Sequence, residues 1–189
     1  AFSPSVVETP SGLFMVYAGH RYDPALESGV YVLGAVSSDG ITWTKRSEPL
    51  LEPGMHLPQD DPASSYGWMR SGAAEPDVLL GPDGKWYLFF TGLDDTAGTR
   101  SIGLARSDEP EGPYRIDPAP ILSPSSAGFD AGAVLAPDVL LDGSRLRLCT
   151  TRWESGNRPG SSDTRRGPGR PDRARCPMAH DRVRLAGSA

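Results

Sequence analysis

The sequence predicts an all-β protein: an incomplete β-propeller of about two and a half blades, followed by a tail without strand pattern. Three observations lead there. A phrase made of Pro, an apolar strand, a Gly-containing turn and a second strand occurs three times. It reads SPSVVETPSGLFMVYAG from Ser3, EPDVLLGPDGKWYLFFTG from Glu75 and APDVLLDGSRLRLCTT from Ala136. The second halves of the first two units also match, GVYVLGAVSSDGITWTKRSEPLLEPG from Gly29 paralleling RSIGLARSDEPEGPYRIDPAPILSP from Arg100. No window carries a 3.6-residue apolar period, so helices are expected to be scarce.

Each element follows from local chemistry. The first two strands of a unit are apolar runs of β-formers, most plainly Trp86, Tyr87, Phe89 and Phe90, split by a Gly turn. The third strand alternates, as at Val30, Val32 and Ala35, and ends on a Ser. An Asp-containing turn comes next, then a short aromatic strand and a Pro followed by two aliphatics. Trp43 and Tyr114 occupy equivalent places there and read as packing residues. Asp39, Asp83 and Asp108 sit at outer or inter-strand turns, where Asx-turn duty accounts for them. Four short strands recurring roughly every 60 to 70 residues are what a propeller blade requires. A β-sandwich with coincidental turn similarity is the competing architecture.

The third unit breaks off after Thr151, dividing the chain into a partial propeller, 1–151, and a tail, 152–189. Before Arg152 there are ten basic and twenty acidic side chains; from there on there are nine and four. An acidic body disfavours a nucleic-acid surface, because phosphate would be repelled. The basic tail, rich in Arg, Gly and Pro, holds too few aliphatics to offset chain entropy and is expected to be disordered. Its composition matches G- and C-only codons, so out-of-frame translation of a GC-rich gene is the preferred origin; a native disordered tail and a basic arm are the alternatives. No apolar run approaches a membrane span. No phosphate-cradling Gly loop or metal-ligand cluster is seen, so neither a metal nor another cofactor is expected. The two cysteines, Cys149 and Cys176, lack metal spacing and are expected to be free thiols, with a disulfide as the alternative.

At the quoted phrases, together with FDAGAVLAPDVLLDG, the chain resembles the five-bladed propeller glycosidases, the superfamily of glycoside hydrolase families 43, 32, 68 and 130. The resemblance runs from Ser3 to about Thr151 and implies a glycoside hydrolase acting on oligosaccharides through carboxylates in a central funnel, incomplete in this chain. In that superfamily the innermost strand of each blade starts at the funnel rim, and a carboxylate directly before Pro is a recurrent catalytic placement. The matching positions here are Ser3, Glu75 and Ala136, and Glu75 alone is acidic. Glycosidic cleavage needs one carboxylic acid to protonate the leaving oxygen and a second carboxylate to activate water or attack the anomeric carbon. Partial burial at a funnel mouth would raise a Glu pKa toward that duty.

Glu75 is therefore the first catalytic candidate, against a rim residue or a partner for Arg70. Asp130, six residues ahead of the third inner strand, is the second, against a turn-former. Trp68, Arg70 and His20 are candidate substrate contacts, with Tyr66 beside them; the competing readings are loop and core packing. Asp77 and Asp138 follow the motif Pro in two units, and their repetition marks them as structural, accepting backbone N–H groups near the strand start. Asp60 and Asp61 read as a solvated loop. The partner implied is a carbohydrate, with neither nucleic acid nor membrane. A non-catalytic carbohydrate-binding propeller, favoured by the neutral Ser3 and Ala136, and a glycoside phosphorylase, which would need several cations around a phosphate, are the rival functions.

Overall fold

The computed structural model describes residues 1–23, 26–54, 57, 66–128 and 130–153. Asp60, Asp61, Cys176 and the tail from 154 onward lie outside the described residues. Ten strands fall into three successive antiparallel groups. The first blade is β1 (Phe2–Thr9), β2 (Gly12–Asp23), β3 (Leu26–Ser37) and β4 (Thr44–Lys45). The second is β5 (Gly72–Leu80), β6 (Trp86–Asp94), β7 (Thr99–Ser107) and β8 (Arg115–Ile116). The third supplies its two inner strands, β9 (Ala133–Asp142) and β10 (Arg145–Trp153). Helical structure among the described residues includes the 3-10 turn Tyr66–Met69.

The internal repeat extends to single hydrogen bonds. In the first blade, Val32 N–H donates to Leu51 O and Leu50 N–H to Val32 O. In the second, Ile102 N–H donates to Leu122 O and Ile121 N–H to Ile102 O. The two aliphatics after each Pro therefore close the outer edge of each blade in the same way. The Ser that ends the third strand caps the following turn in both: Ser37 Oγ accepts from Gly40 N–H, and Ser107 Oγ from Glu109 N–H.

Packing decides between a fan of blades and two stacked layers. Alternate residues of a strand point to opposite faces. Along β6, Trp86, Leu88 and Phe90 enter a cluster with Phe14, Val16 and Val32 of the first blade. Tyr87 and Phe89, between them, enter a second cluster with Val139 of the third, where Leu146 and Leu148 also pack. The run Trp-Tyr-Leu-Phe-Phe is continuously apolar because both faces of the middle sheet are covered. The three inner strands β1, β5 and β9 converge on one hollow, so the sheets fan about a shared axis, as a propeller requires. No helix among the described residues is long and apolar enough to cross a membrane.

Two glycine contacts set how closely the first two blades meet. A β-carbon on Gly72 would lie 2.2 Å from the Val30 carbonyl oxygen, and its φ of 144° strains any other residue. Gly103 leaves room for the edge of Trp68, whose ring a β-carbon would meet at 2.4 Å. Gly72→Ala is expected to destabilise the chain by about 3 kcal/mol, since the obstructing atoms are backbone and cannot turn aside. Urea unfolding of the two proteins side by side measures it, and an unchanged midpoint contradicts the packing described.

Candidate funnel site

Each inner strand carries the same distortion where its Pro sits. Ser3, Glu75 and Ala136 have φ of 50°, 48° and 52°, the left-handed region, and they are the non-glycine residues found there among the described residues. Strand register slips at the same points: between Phe2 and Ser5, between Ala74 and Asp77, and across from Ala136 between Cys149 and Thr151. An L-residue in this region costs about 1–2 kcal/mol. A following Pro disfavours helical backbone at the residue before it as well. Three occurrences, two of them on the neutral Ser3 and Ala136, make the distortion a property of the blade rather than of the carboxylate.

The distortion turns the residue before Pro toward the axis. Ser3-Pro4-Ser5, Glu75-Pro76-Asp77 and Ala136-Pro137-Asp138 together line one hollow of about 270 Å³. Of the five candidate site residues, the hollow takes Glu75. Its Oε2 accepts the Thr91 hydroxyl at 2.7 Å and the Ala136 N–H at 2.9 Å. Thr91 is buried, and its Oγ also accepts from the Ala136 N–H. Glu75 is thus held by its own blade and by the next.

The other candidates lie elsewhere. Trp68 stacks on Phe90 with ring centroids 5.6 Å apart, and its indole N–H donates to the Pro118 carbonyl. Arg70 is exposed in the turn before β5, and His20 is exposed on β2 opposite Val30. Asp130 is half-buried in the turn that leads to β9. None of the four lines the hollow. Among the described residues, no group of three or more His, Cys, Asp or Glu could hold a metal ion. Cys149 is disulfide-bonded, where a free thiol was expected.

Asp77 and Ser5 do more than the sequence indicated. Asp77 Oδ1 accepts the Ser5 hydroxyl at 2.8 Å, and Oδ2 accepts the Val139 N–H at 2.7 Å. Ser5 Oγ in turn accepts the Val78 N–H at 3.4 Å. One half-buried carboxylate therefore ties all three blades beside the hollow. Burial pushes its carboxyl above the ordinary 3.8; the bonds from Val139 and Ser5 oppose the rise, and the like charge of Asp138 adds to it. Among the turn residues, the N–H groups of Thr42 and Ile41 and the Ser37 hydroxyl hold Asp39 down to about 2. Asp83 accepts from Lys85 N–H and the Tyr87 hydroxyl. Asp108 instead pairs with the Lys85 ammonium.

Two outcomes follow for stability. Ala136→Gly removes a strained β-carbon and is expected to stabilise the chain by about 1 kcal/mol in urea unfolding; destabilisation would mean the backbone there is relaxed. The Asp77 carboxyl keeps its proton to higher pH in the folded chain than in the unfolded one. Its contribution thus favours folding at low pH and is withdrawn as pH rises through the folded pKa. Asp77→Asn does not titrate, so its stability relative to the parent should climb as pH rises above 3.8. Urea midpoints across the acid range report this, and a constant difference contradicts it.

No protein-family model matches the chain. A curated relative, xylosidase/arabinosidase 43A of Humicola insolens, is 44% identical over 54 residues, which make up 29% of this chain and 16% of that protein. A family 117 glycoside hydrolase of Zobellia galactanivorans superposes with a TM-score of 0.59 at 16% identity, covering 77% of this chain and 46% of its own. A family 43 glycoside hydrolase of Bacillus licheniformis gives 0.54 at 19% identity, covering 85% and 39%. An endo-1,5-α-L-arabinanase of Thermotoga petrophila gives 0.53 at 20% identity, covering 77% and 34%. The chain spans less than half the length of each of these proteins. It has the fold of the five-bladed propellers on which these glycoside hydrolases are built, represented by two four-stranded blades and the inner half of a third.

Proposed function

We propose that this chain is part of a glycoside hydrolase, that the hollow at the inner-strand bulges receives a sugar, and that Glu75 is its acid/base carboxylate. The observation that carries the reading is the three-fold bulge. It directs the residue before each Pro into one hollow, and in one blade that residue is acidic. Thr91 and the Ala136 N–H hold one carboxylate oxygen, Oε2, while Oε1 accepts no hydrogen bond among the described residues. A carboxyl fixed at one oxygen keeps the other oriented for proton transfer to a leaving group, which is what general-acid catalysis requires. The relatives point to glycosides of arabinose and xylose as first substrates. Asp130 is kept as candidate second carboxylate, and Trp68, Arg70 and His20 as candidate contacts for an extended oligosaccharide beyond the hollow. The propeller part is proposed to run through β10 to Trp153, two residues past the boundary read at Thr151, with the tail following it.

A second reading, a propeller that binds carbohydrate without cleaving it, is favoured by the neutral Ser3 and Ala136 at the positions equivalent to Glu75. Turnover of nitrophenyl arabinosides and xylosides, measured alongside oligosaccharide binding by calorimetry, separates the two. On the hydrolase reading the protein of which this chain is part turns substrate over, while the 189 residues alone show little or none. Glu75→Gln in the whole protein then lowers its rate at least about 100-fold while oligosaccharide affinity stays within a few-fold. Binding without turnover in the whole protein selects the second reading. Turnover that Glu75→Gln leaves intact removes the acid/base role, and absence of both binding and turnover removes both readings.

A further inference from the structure

Opposite the bulge of each inner strand stands one residue of the second strand. Phe2 pairs with Ala18, Ala74 with Thr91 and Leu135 with Thr151, in each case the last pair in register before the residue that precedes Pro. The first blade fills this place with a fully buried Ala18, so the bulge itself needs no hydroxyl there. The second blade fills it with Thr91, 1% exposed, next to the acidic Glu75. Strand alternation points Thr91 the same way as Tyr87 and Phe89, toward the third blade.

The protons in this cluster have one consistent arrangement. The Ala136 N–H can only donate, and it reaches Glu75 Oε2 and Thr91 Oγ1, each at 2.9 Å. Thr91 Oγ1 is an acceptor on that side, so its single proton points elsewhere. Glu75 Oε2, 2.7 Å away, is the acceptor it meets among the described residues. A buried hydroxyl proton left without an acceptor is unfavourable, which fixes the direction of this bond. A carboxylate oxygen offers about two acceptor sites, and Oε2 already receives two donors. A proton added to Glu75 must displace one of them or go to Oε1, and Oε1 is favoured. Because Thr91 is already enclosed by the second and third blades, the cluster is complete within the chain and does not depend on what lies across the hollow.

We propose that Thr91 is a positioning residue which, with the Ala136 N–H, confines the acidic proton of Glu75 to Oε1. The proposal rests on the acid/base reading of Glu75. The proton then passes from Oε1 to the glycosidic oxygen, which keeps the electron pair of the broken C–O bond, while water adds to the anomeric carbon and releases one proton. The carboxylate left behind stays hydrogen-bonded at Oε2. Thr91 does not line the hollow, so its effect falls on proton delivery and not on sugar binding.

The test compares two leaving groups in the protein of which this chain is part. The alcohol released from an arabino- or xylo-oligosaccharide needs a proton, whereas a dinitrophenolate departs as a stable anion. Thr91→Val keeps the side chain's size and removes the hydroxyl. It is expected to lower kcat on the oligosaccharide at least about tenfold, with KM and dinitrophenyl glycoside turnover within a few-fold of the parent. Thr91→Ser restores the donor and should recover oligosaccharide turnover to within a few-fold. Equal loss on both substrates in Thr91→Val, total loss included, reduces Thr91 to a fold residue and overturns the proposal. So does a Thr91→Ser protein as impaired as Thr91→Val. Oligosaccharide turnover that survives Thr91→Val but not Glu75→Gln overturns the proposal and leaves the acid/base reading standing; turnover that survives Glu75→Gln removes both.

Discussion

Everything near the axis depends on one constraint: the residue before each motif Pro must hold a left-handed backbone. A β-carbon makes that conformation unfavourable by an amount comparable to a good hydrogen bond. It persists because neighbouring blades over-determine it. The Ala136 N–H, exposed by the bulge of the third blade, is taken up by Glu75 and Thr91 of the second. Beside it, Asp77 receives the Ser5 hydroxyl from one side and the Val139 N–H from the other. The first blade supplies Ser5, and the second Glu75, Thr91 and Asp77, as acceptors for backbone N–H groups of the blade that follows.

Seen this way, Glu75 belongs to two systems. As a scaffold element it satisfies a backbone donor of the following blade. As a chemical group it is the acidic side chain at the three equivalent positions before Pro. Neutral donors, the Thr91 hydroxyl and the Ala136 N–H, hold the carboxyl in a fixed orientation, which is the preorganisation that the proposed acid/base role would use. Asp77 has both its oxygens spent on neighbouring blades, and burial has moved its titration upward. Two carboxylates two residues apart are thus sorted into different work by what each one touches.

The middle blade shows how the architecture reads its own sequence. Trp86 to Phe90 looks like an undifferentiated apolar run, yet its alternate members serve different junctions. Glycine at positions 72, 92 and 103 lets backbone and the Trp68 ring approach closely enough to seal the first of them. Trp68 looks in isolation like a sugar platform. Its stacking on Phe90 and its bond to Pro118 also tie it into the wall between blades.

Local pattern alone determined the strand sequence, the four-stranded repeat, the capped turns at Ser37 and Ser107, and the singularity of Glu75 among its equivalents, because each depends on residues near in the chain. Only the tertiary structure decided which side chains share the hollow and which hold the blades together. Thr91 carries no motif and reads as one more β-former; its role exists because Ala136, 45 residues away, brings a backbone donor to it. Ser5 and Asp77 are 72 residues apart, and nothing in either local sequence pairs them. Left-handed backbone on Ser, Glu and Ala is likewise invisible in composition, since those residues avoid it unless neighbouring sheets impose it. Side-chain direction at a propeller axis is set by the meeting of separate blades, and that meeting is a property of three dimensions rather than of the chain.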